Sequence, residues 1–281
     1  MLVCVLGAGI MGSGIASLFC MPPEVSKVTV WGRGEASLEI SYIKIKKEVS
    51  RFAKANAVPK EELASILSKI EMKTDLSKLS GYDLYIEAIS ESLDSKIELF
   101  SKLKKYIPDN AIVATNTSSL SVTALAMQIN VPSNFIGIHF FNPTSVMKLV
   151  EVIKGLVTSE ETLHRSINLV KTVSKTPVIV KESPGFIVNR MLIPMINEAI
   201  SILAEGVASK QDIDNAMKYG ANHPIGPLAL SDLIGNDVCL SIMEALYKET
   251  GDPKYRAHPL LRQYVRAGYL GRKTKIGFYE Y

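Results

Sequence analysis

Three places in the 281-residue chain carry residue types that can do chemistry together. The first is Gly7-x-Gly9-x-x-Gly12, which follows apolar Leu2–Leu6 directly and opens the small-residue segment Ile10–Cys20. A short apolar run rich in Val reads as a buried strand. Strand, glycine turn and helix in that order are the context a dinucleotide fingerprint requires. Gly7 permits the tight turn, Gly9 lets backbone approach a pyrophosphate, and Gly12 lets helix and strand close on each other. The backbone N–H groups of Ile10, Met11 and Gly12 then present the positive end of the helix to the anion. The second place is Thr115–Asn116–Thr117–Ser118–Ser119, a polar run just past apolar Ala111–Ala114. Open α/β sheets bind ligands at the carboxyl ends of their strands, so Asn116 and Ser118 stand where a nucleotide or substrate is met. The third is His139, closing the apolar segment Phe135–His139. Imidazole titrates near neutral pH and suits proton transfer in either direction.

The end of the second predicted strand, Lys27–Trp31, bears on which dinucleotide is bound. About 20 residues past the glycines, an acidic side chain would accept hydrogen bonds from the adenine ribose of NAD. Here the chain reads Gly32–Arg33–Gly34. Gly32 leaves space, and the Arg33 guanidinium suits a 2′-phosphate. NADP(H) is therefore expected over NAD(H), with Glu35 as the acidic alternative.

These residues need an alternating α/β scaffold. Residues 35–56 form a helix with an apolar stripe at Leu38, Tyr42, Ile45, Val49 and Phe52. On another face lie Lys44, Lys47, Arg51 and Lys54. Such a row is ordinarily solvated; functionally it is a landing strip for the phosphates of a carrier such as coenzyme A. A helical hairpin arm at about 35–70 follows from this, running through Pro59 to Ile70. Strands are expected at 83–88, 111–114, 135–139, 148–153 and 177–180, and helices at 94–106 and 159–174. Past Ser183–Pro184–Gly185 the strands stop. Phe186–Glu205 is one long apolar helix containing Pro194, Ser209 caps Lys210–Tyr219, and Pro227–Glu249 adds more helix. The fold class is α/β: a dinucleotide-binding Rossmann-type domain over 1–183, then an all-α domain over 184–281.

Composition limits the partners. The hydrophobic fraction of 47% supplies real cores, and a charged fraction of 21% argues against disorder. The net charge of +4 comes from 32 basic residues spread among 28 acidic ones, which favours neither nucleic acid nor membrane. Cys4, Cys20 and Cys239 have no metal-like spacing, so no metal site is expected and all three read as reduced core residues. No leader and no membrane span is expected, and the location is cytoplasmic.

Several motifs together carry a resemblance: GAGIMGSGIA (7–16), ATNTSSL (114–120), GIHFFNP (137–143), KLVEVI (148–153), SPGFIVNR (183–190), HPIGPLALSDLIG (223–235) and GRKTKIGFYEY (271–281). The chain resembles the L-3-hydroxyacyl-CoA dehydrogenases, including 3-hydroxybutyryl-CoA dehydrogenases, essentially end to end. The resemblance implies a Rossmann-type domain, a helical domain that pairs two subunits into a homodimer, and an acyl-CoA substrate. It makes His139 the catalytic histidine and Glu151 the carboxylate that orients it. Ser118 and Asn189 bind the substrate oxygen. Glu91, Lys96, Asn142 and Lys273 touch the nucleotide or line the site, and Lys54, with less support, contacts coenzyme A. The family's ribose carboxylate is missing, because Gly32 stands there.

The residue types suit that chemistry. Oxidising a secondary alcohol removes a proton from oxygen while hydride leaves carbon. His139 takes the proton, Glu151 steadies the resulting charge, and Ser118 and Asn189 donate to the oxygen. Three other readings stay open. A serine hydrolase is disfavoured because no GxSxG elbow surrounds Ser118 or Ser119. A free hydroxy-acid dehydrogenase and a non-catalytic nucleotide-binding protein share the same fold.

Overall fold

A computed structural model describes residues 1–55 and 57–281. The chain divides into two compact units, Met1–Ser183 and Pro184–Tyr281.

The first unit is built on one sheet of eight strands. They are β1 (Leu2–Leu6), β2 (Lys27–Trp31), β3 (Ile70–Lys73), β4 (Leu84–Glu87), β5 (Ile112–Thr115), β6 (Phe135–Phe140), β7 (Leu149–Lys154) and β8 (Thr176–Lys181). Their order across the sheet is β3-β2-β1-β4-β5-β6-β7-β8. β1 to β6 run parallel; β7 runs antiparallel to β6, and β8 parallel to β7. Every residue of β4, β5 and β6 is buried, as expected for parallel strands covered on both faces. The antiparallel β7 departs from the expected strand–helix alternation. Only the loop 141–148 joins it to β6, too short for the crossover a parallel pair needs.

The helices of this unit are α1 (Ile10–Cys20), α2 (Glu35–Ala55), α3 (Lys60–Ser68), α4 (Leu93–Leu103), α5 (Val122–Ala126) and α6 (Glu160–Thr172). Val3, Val5, Ile15, Phe19, Val28, Val30, Ile86 and Ile136 belong to the core they share with the sheet. Each such buried side chain contributes about 1.5–3 kcal/mol.

Two expectations need correction. The helical arm is real, but its second helix ends at Ser68 and Ile70 begins edge strand β3, whose four residues are only half-buried. Residue 56, the last of the expected helix, lies outside the described residues. The buried face of α2 keeps Leu38, Ile45 and Val49 of the apolar stripe but has Ser41 and Ala53 in place of Tyr42 and Phe52. Tyr42 and Phe52 are exposed, while Ser41 turns inward against α1, its hydroxyl 2.8 Å from that of Ser13. Pro227–Glu249 is helical as expected, in two pieces that meet at Gly235.

The second unit is helical: α7 (Val188–Ala204), α8 (Lys210–Gly220), α9 (Pro227–Ile234), α10 (Asn236–Thr250) and α11 (Pro259–Arg266). Pro194 lies inside α7, and the Ser209 hydroxyl accepts from the Asp212 N–H at 3.2 Å to cap α8. Gly235, at φ 109°, separates α9 from α10. Ile193, Ile196, Ile200, Leu228, Met243, Leu261 and Phe278 are buried in a core of this unit's own. Its tail is fixed by two buried carboxylates. Asp232 accepts from the Phe278 and Tyr279 N–H groups, both at 2.9 Å, and from the Tyr281 hydroxyl at 3.1 Å. Asp214 accepts from the Leu228 N–H at 2.8 Å, the Ala229 N–H at 3.0 Å and the Tyr279 hydroxyl at 2.9 Å. The motif GRKTKIGFYEY is therefore a latch onto α8 and α9.

Candidate active site

The glycine turn lies between β1 and α1. Gly7 has φ 133°, and its N–H donates to the Trp31 carbonyl at 2.9 Å. A Cβ on Gly12 would fall 1.9 Å from the Gly7 carbonyl oxygen, so only glycine lets the helix start that close to the strand. A Cβ on Gly9 would meet nothing within 4 Å, so this side of the turn is open to a ligand. No side chain caps α1 and no acidic residue stands in its first turn. Its leading N–H groups and positive dipole therefore suit an anion. Ile10 is exposed and Met11 half-buried beside that opening. The cradle fits a dinucleotide.

At the end of β2, Gly32 is buried, its N–H donating to the Lys73 carbonyl at 3.1 Å. A side chain there would press on Leu38 and Ala8, at 3.0 and 3.1 Å. Arg33 and Glu35 are exposed.

Sheet register makes the histidine–carboxylate pair. His139 on β6 stands directly opposite Glu151 on β7. Because side chains alternate faces, a slip of one residue would turn Glu151 to the far side. In register, His139 Nδ1 lies 2.8 Å from Glu151 Oε2, with the two side chains 8% and 1% exposed. A carboxylate only accepts, so Nδ1 carries the proton and Nε2 is the basic nitrogen. The Phe141 ring packs on the imidazole, centroids 4.4 Å apart.

Beside this pair, Asn116 Oδ1 accepts from the Phe140 N–H at 2.8 Å and ties the segment after β5 to the end of β6. Ser118 follows in that segment. Its N–H and hydroxyl reach Glu91 Oε1 at 2.7 and 3.2 Å. The same oxygen receives the Thr117 hydroxyl at 2.6 Å and the Ser119 N–H and hydroxyl at 3.0 and 3.1 Å. A carboxylate oxygen offers roughly two lone-pair sites, so the long hydroxyl contacts exchange for a substrate oxygen at least cost. Burial pushes the Glu91 carboxyl up, but Lys96 and the donors from Thr117 and Ser118 outweigh it and hold it below the usual carboxylate range.

Lys96 lies beneath. Its ammonium is 2.8 Å from both oxygens of Glu87 and 3.1 Å from Glu91 Oε2, and its side chain is 1% exposed. It meets the surface only through Glu91. Glu87 was not among the sequence candidates. Its signal was a carboxylate closing the apolar strand Leu84–Glu87.

Asn142 is exposed in the loop after β6. The loop is pinned by Lys175, whose ammonium donates to the carbonyls of Thr144 at 2.5 Å and Met147 at 2.9 Å. Lys47 and Lys54 are exposed on α2, and Arg51 donates to the Ser145 hydroxyl at 2.9 Å. Asn189 and Lys273 belong to the second unit. Asn189 is half-buried in the first turn of α7, and Lys273 pairs with Asp237 at 2.6 Å. Burial pushes the thiols of Cys20 and Cys239 up to about 12 and about 11, and that of Cys4 upward too, so none is a nucleophile. Among the described residues no metal-binding cluster occurs, and no helix is long and apolar enough to cross a membrane.

Comparison with known proteins assigns this arrangement to a family. The profile "3-hydroxyacyl-CoA dehydrogenase, NAD binding domain" matches residues 2–183, and "3-hydroxyacyl-CoA dehydrogenase, C-terminal domain" matches residues 185–281. A 3-hydroxybutyryl-CoA dehydrogenase of Clostridioides difficile is 49% identical over 281 residues, covering 100% of this chain and 99% of its own. One of Bradyrhizobium diazoefficiens is 43% identical, over 99% of this chain and 94% of its own. The crystal structure of (S)-3-hydroxybutyryl-CoA dehydrogenase from Ralstonia eutropha superposes with a TM-score of 0.93 at 44% identity, covering 100% of this chain and 98% of that one. With both of its domains matched along nearly their whole length, the chain belongs to the 3-hydroxyacyl-CoA dehydrogenase family.

Proposed function

We propose that the chain interconverts (S)-3-hydroxyacyl-CoA and 3-oxoacyl-CoA, with 3-hydroxybutyryl-CoA and acetoacetyl-CoA as the favoured length. The observation that carries this reading is the buried His139–Glu151 pair at 2.8 Å, on the sheet that also holds a dinucleotide cradle. His139 Nε2 removes the hydroxyl proton in oxidation and returns it in reduction. Glu151 holds Nδ1–H and steadies the imidazolium. Ser118 and Asn189 donate to the substrate oxygen as negative charge develops there. Bound nicotinamide supplies the hydride exchange. Gly7, Gly9, Ile10, Met11 and Gly12 hold the pyrophosphate, and Asn116, Glu91, Asn142 and Lys273 border the nucleotide; Lys96, buried, acts there only through Glu91.

NADP(H) is the preferred form. Gly32 offers no ribose carboxylate, and exposed Arg33 is the cation a 2′-phosphate would meet. The exposed row Lys44, Lys47, Arg51 and Lys54 supports coenzyme A phosphates as the handle. We read the working form as a cytoplasmic homodimer joined through the second unit. Exposed Met191, Val207 and Tyr219 on that unit support the pairing, and three buried thiols suit a reducing compartment. Light scattering should return twice the 30.8 kDa chain mass.

The deciding experiment is steady-state reduction of acetoacetyl-CoA and of free acetoacetate, each with NADH and NADPH. Turnover of the thioester with NADPH preferred is expected. Preference for the free acid would overturn the substrate, and preference for NADH would overturn the cofactor.

A further inference from the structure

We propose that Glu87 is a positioning residue for the reaction: its buried carboxylate, locked to Lys96, holds the Thr115–Ser119 segment and so sets the Ser118 hydroxyl against the substrate oxygen. The proposal rests on the reading of Ser118 given above.

Two routes lead from Glu87 to Ser118. In the first, the Thr115 hydroxyl donates to Glu87 Oε2 at 2.6 Å and accepts from the Thr117 N–H at 3.3 Å. In the second, Lys96 spends one N–H on each Glu87 oxygen, both at 2.8 Å, and reaches Glu91 Oε2 at 3.1 Å. Those contacts use all three donors of an ammonium. Glu91 in turn presents Oε1 to Thr117, Ser118 and Ser119. Glu87 Oε1 also accepts the Ile89 N–H at 2.7 Å, so the segments following β4 and β5 are joined through one carboxylate.

Charge counting supports a role beyond stability. Glu87 and Lys96 are 0% and 1% exposed and cancel each other, so the surplus negative charge falls on Glu91, beside Ser118. A buried ion pair gives little or no net stability over an apolar pair of the same volume. What it does give is a single fixed arrangement of donors, as a reaction sensitive to displacements of about 1 Å requires.

The test is a double-mutant cycle between Glu87→Gln and Ser118→Ala, read as kcat/KM for acetoacetyl-CoA and as the thermal midpoint of each variant. The glutamine keeps the shape of Glu87 but turns an amide donor toward Lys96 or the Ile89 N–H. Glu87→Gln should lower kcat/KM by about 10–100-fold in the unmodified chain. In the Ser118→Ala background it should cost less than about twofold, because coupled residues are non-additive. The thermal midpoint should fall equally in both backgrounds. An equal catalytic loss in both backgrounds, or no loss in either, overturns the proposal. If Ser118→Ala alone leaves turnover unchanged, the reading of Ser118 fails and the proposal falls with it. Should Glu87→Gln not fold, the same cycle is run with Glu87→Gln and Lys96→Met combined. That removes both buried charges together, and the same coupling is expected.

Discussion

A histidine and a carboxylate pair here because each answers a need of the other. Alone in apolar strands, Glu151 would carry the cost of a buried charge and His139 an unsatisfied ring nitrogen. At 2.8 Å each satisfies the other, and the remaining nitrogen is left basic. His139→Gln should therefore lower kcat by about 10²–10⁴-fold, the usual share of general acid–base catalysis. Nucleotide affinity, measured by fluorescence titration, should stay nearly unchanged; comparable turnover would remove His139 from the mechanism. Arg33 makes a separate claim at the same scale. Arg33→Asp should reduce the NADPH-to-NADH ratio of kcat/KM by about tenfold or more, since one lost charged hydrogen bond is worth about 1.5–3 kcal/mol. An unchanged ratio would show that the exposed guanidinium plays no part in choosing the cofactor.

Between residues and domains, the turn from β1 to α1 is the element most constrained by contact. Gly12→Ala would set a methyl 1.9 Å from the Gly7 carbonyl oxygen, where backbone on both sides leaves nothing flexible to yield. The helix must retreat. The expected loss is about 1–3 kcal/mol of stability by chemical denaturation, with nucleotide binding weakened at least as much. Native-like affinity in that variant would mean that the turn does not cradle the pyrophosphate. Helix α2 teaches the opposite lesson. Its apolar periodicity at Leu38, Tyr42, Ile45, Val49 and Phe52 was readable, yet Ser41 and Ala53 took the buried places of Tyr42 and Phe52. Periodicity fixed that a helix forms, while close packing on α1, where Ser41 meets Ser13, fixed which face it turns inward.

Each unit of the molecule has carboxylates that oppose acid unfolding or hold a terminus. In the first, Glu91's carboxyl sits below its ordinary range, so the folded state favours the ionised form. Its contribution to stability is complete above the unfolded value of about 4.3 and is lost as pH falls through the lower folded value. The resistance of the unmodified chain to urea should thus fall on acidification in that window, and Glu91→Gln should flatten the slope; identical slopes would contradict this. In the second unit, Asp232 anchors the tail through Phe278, Tyr279 and Tyr281. Asp232→Asn turns an amide donor against backbone donors and should cost about 2–4 kcal/mol, visible as a lowered thermal midpoint and early proteolysis of the tail.

The dinucleotide turn and the α/β-then-α organisation were legible in the sequence, as were His139, Glu151 and Ser118 as candidates for chemistry. Local spacing and residue type state those things directly. The antiparallel return of β7 was not, although it alone puts Glu151 opposite His139. Nor were Glu87 beneath Lys96, or Asp214 and Asp232 under the tail. Their partners lie 9 to 65 residues away. A carboxylate in a strand or helix looks the same in sequence whether it faces water or a buried ammonium. Only the folded chain, by bringing distant donors into reach, decides which carboxylates meet backbone N–H groups, which an ammonium and which an imidazole.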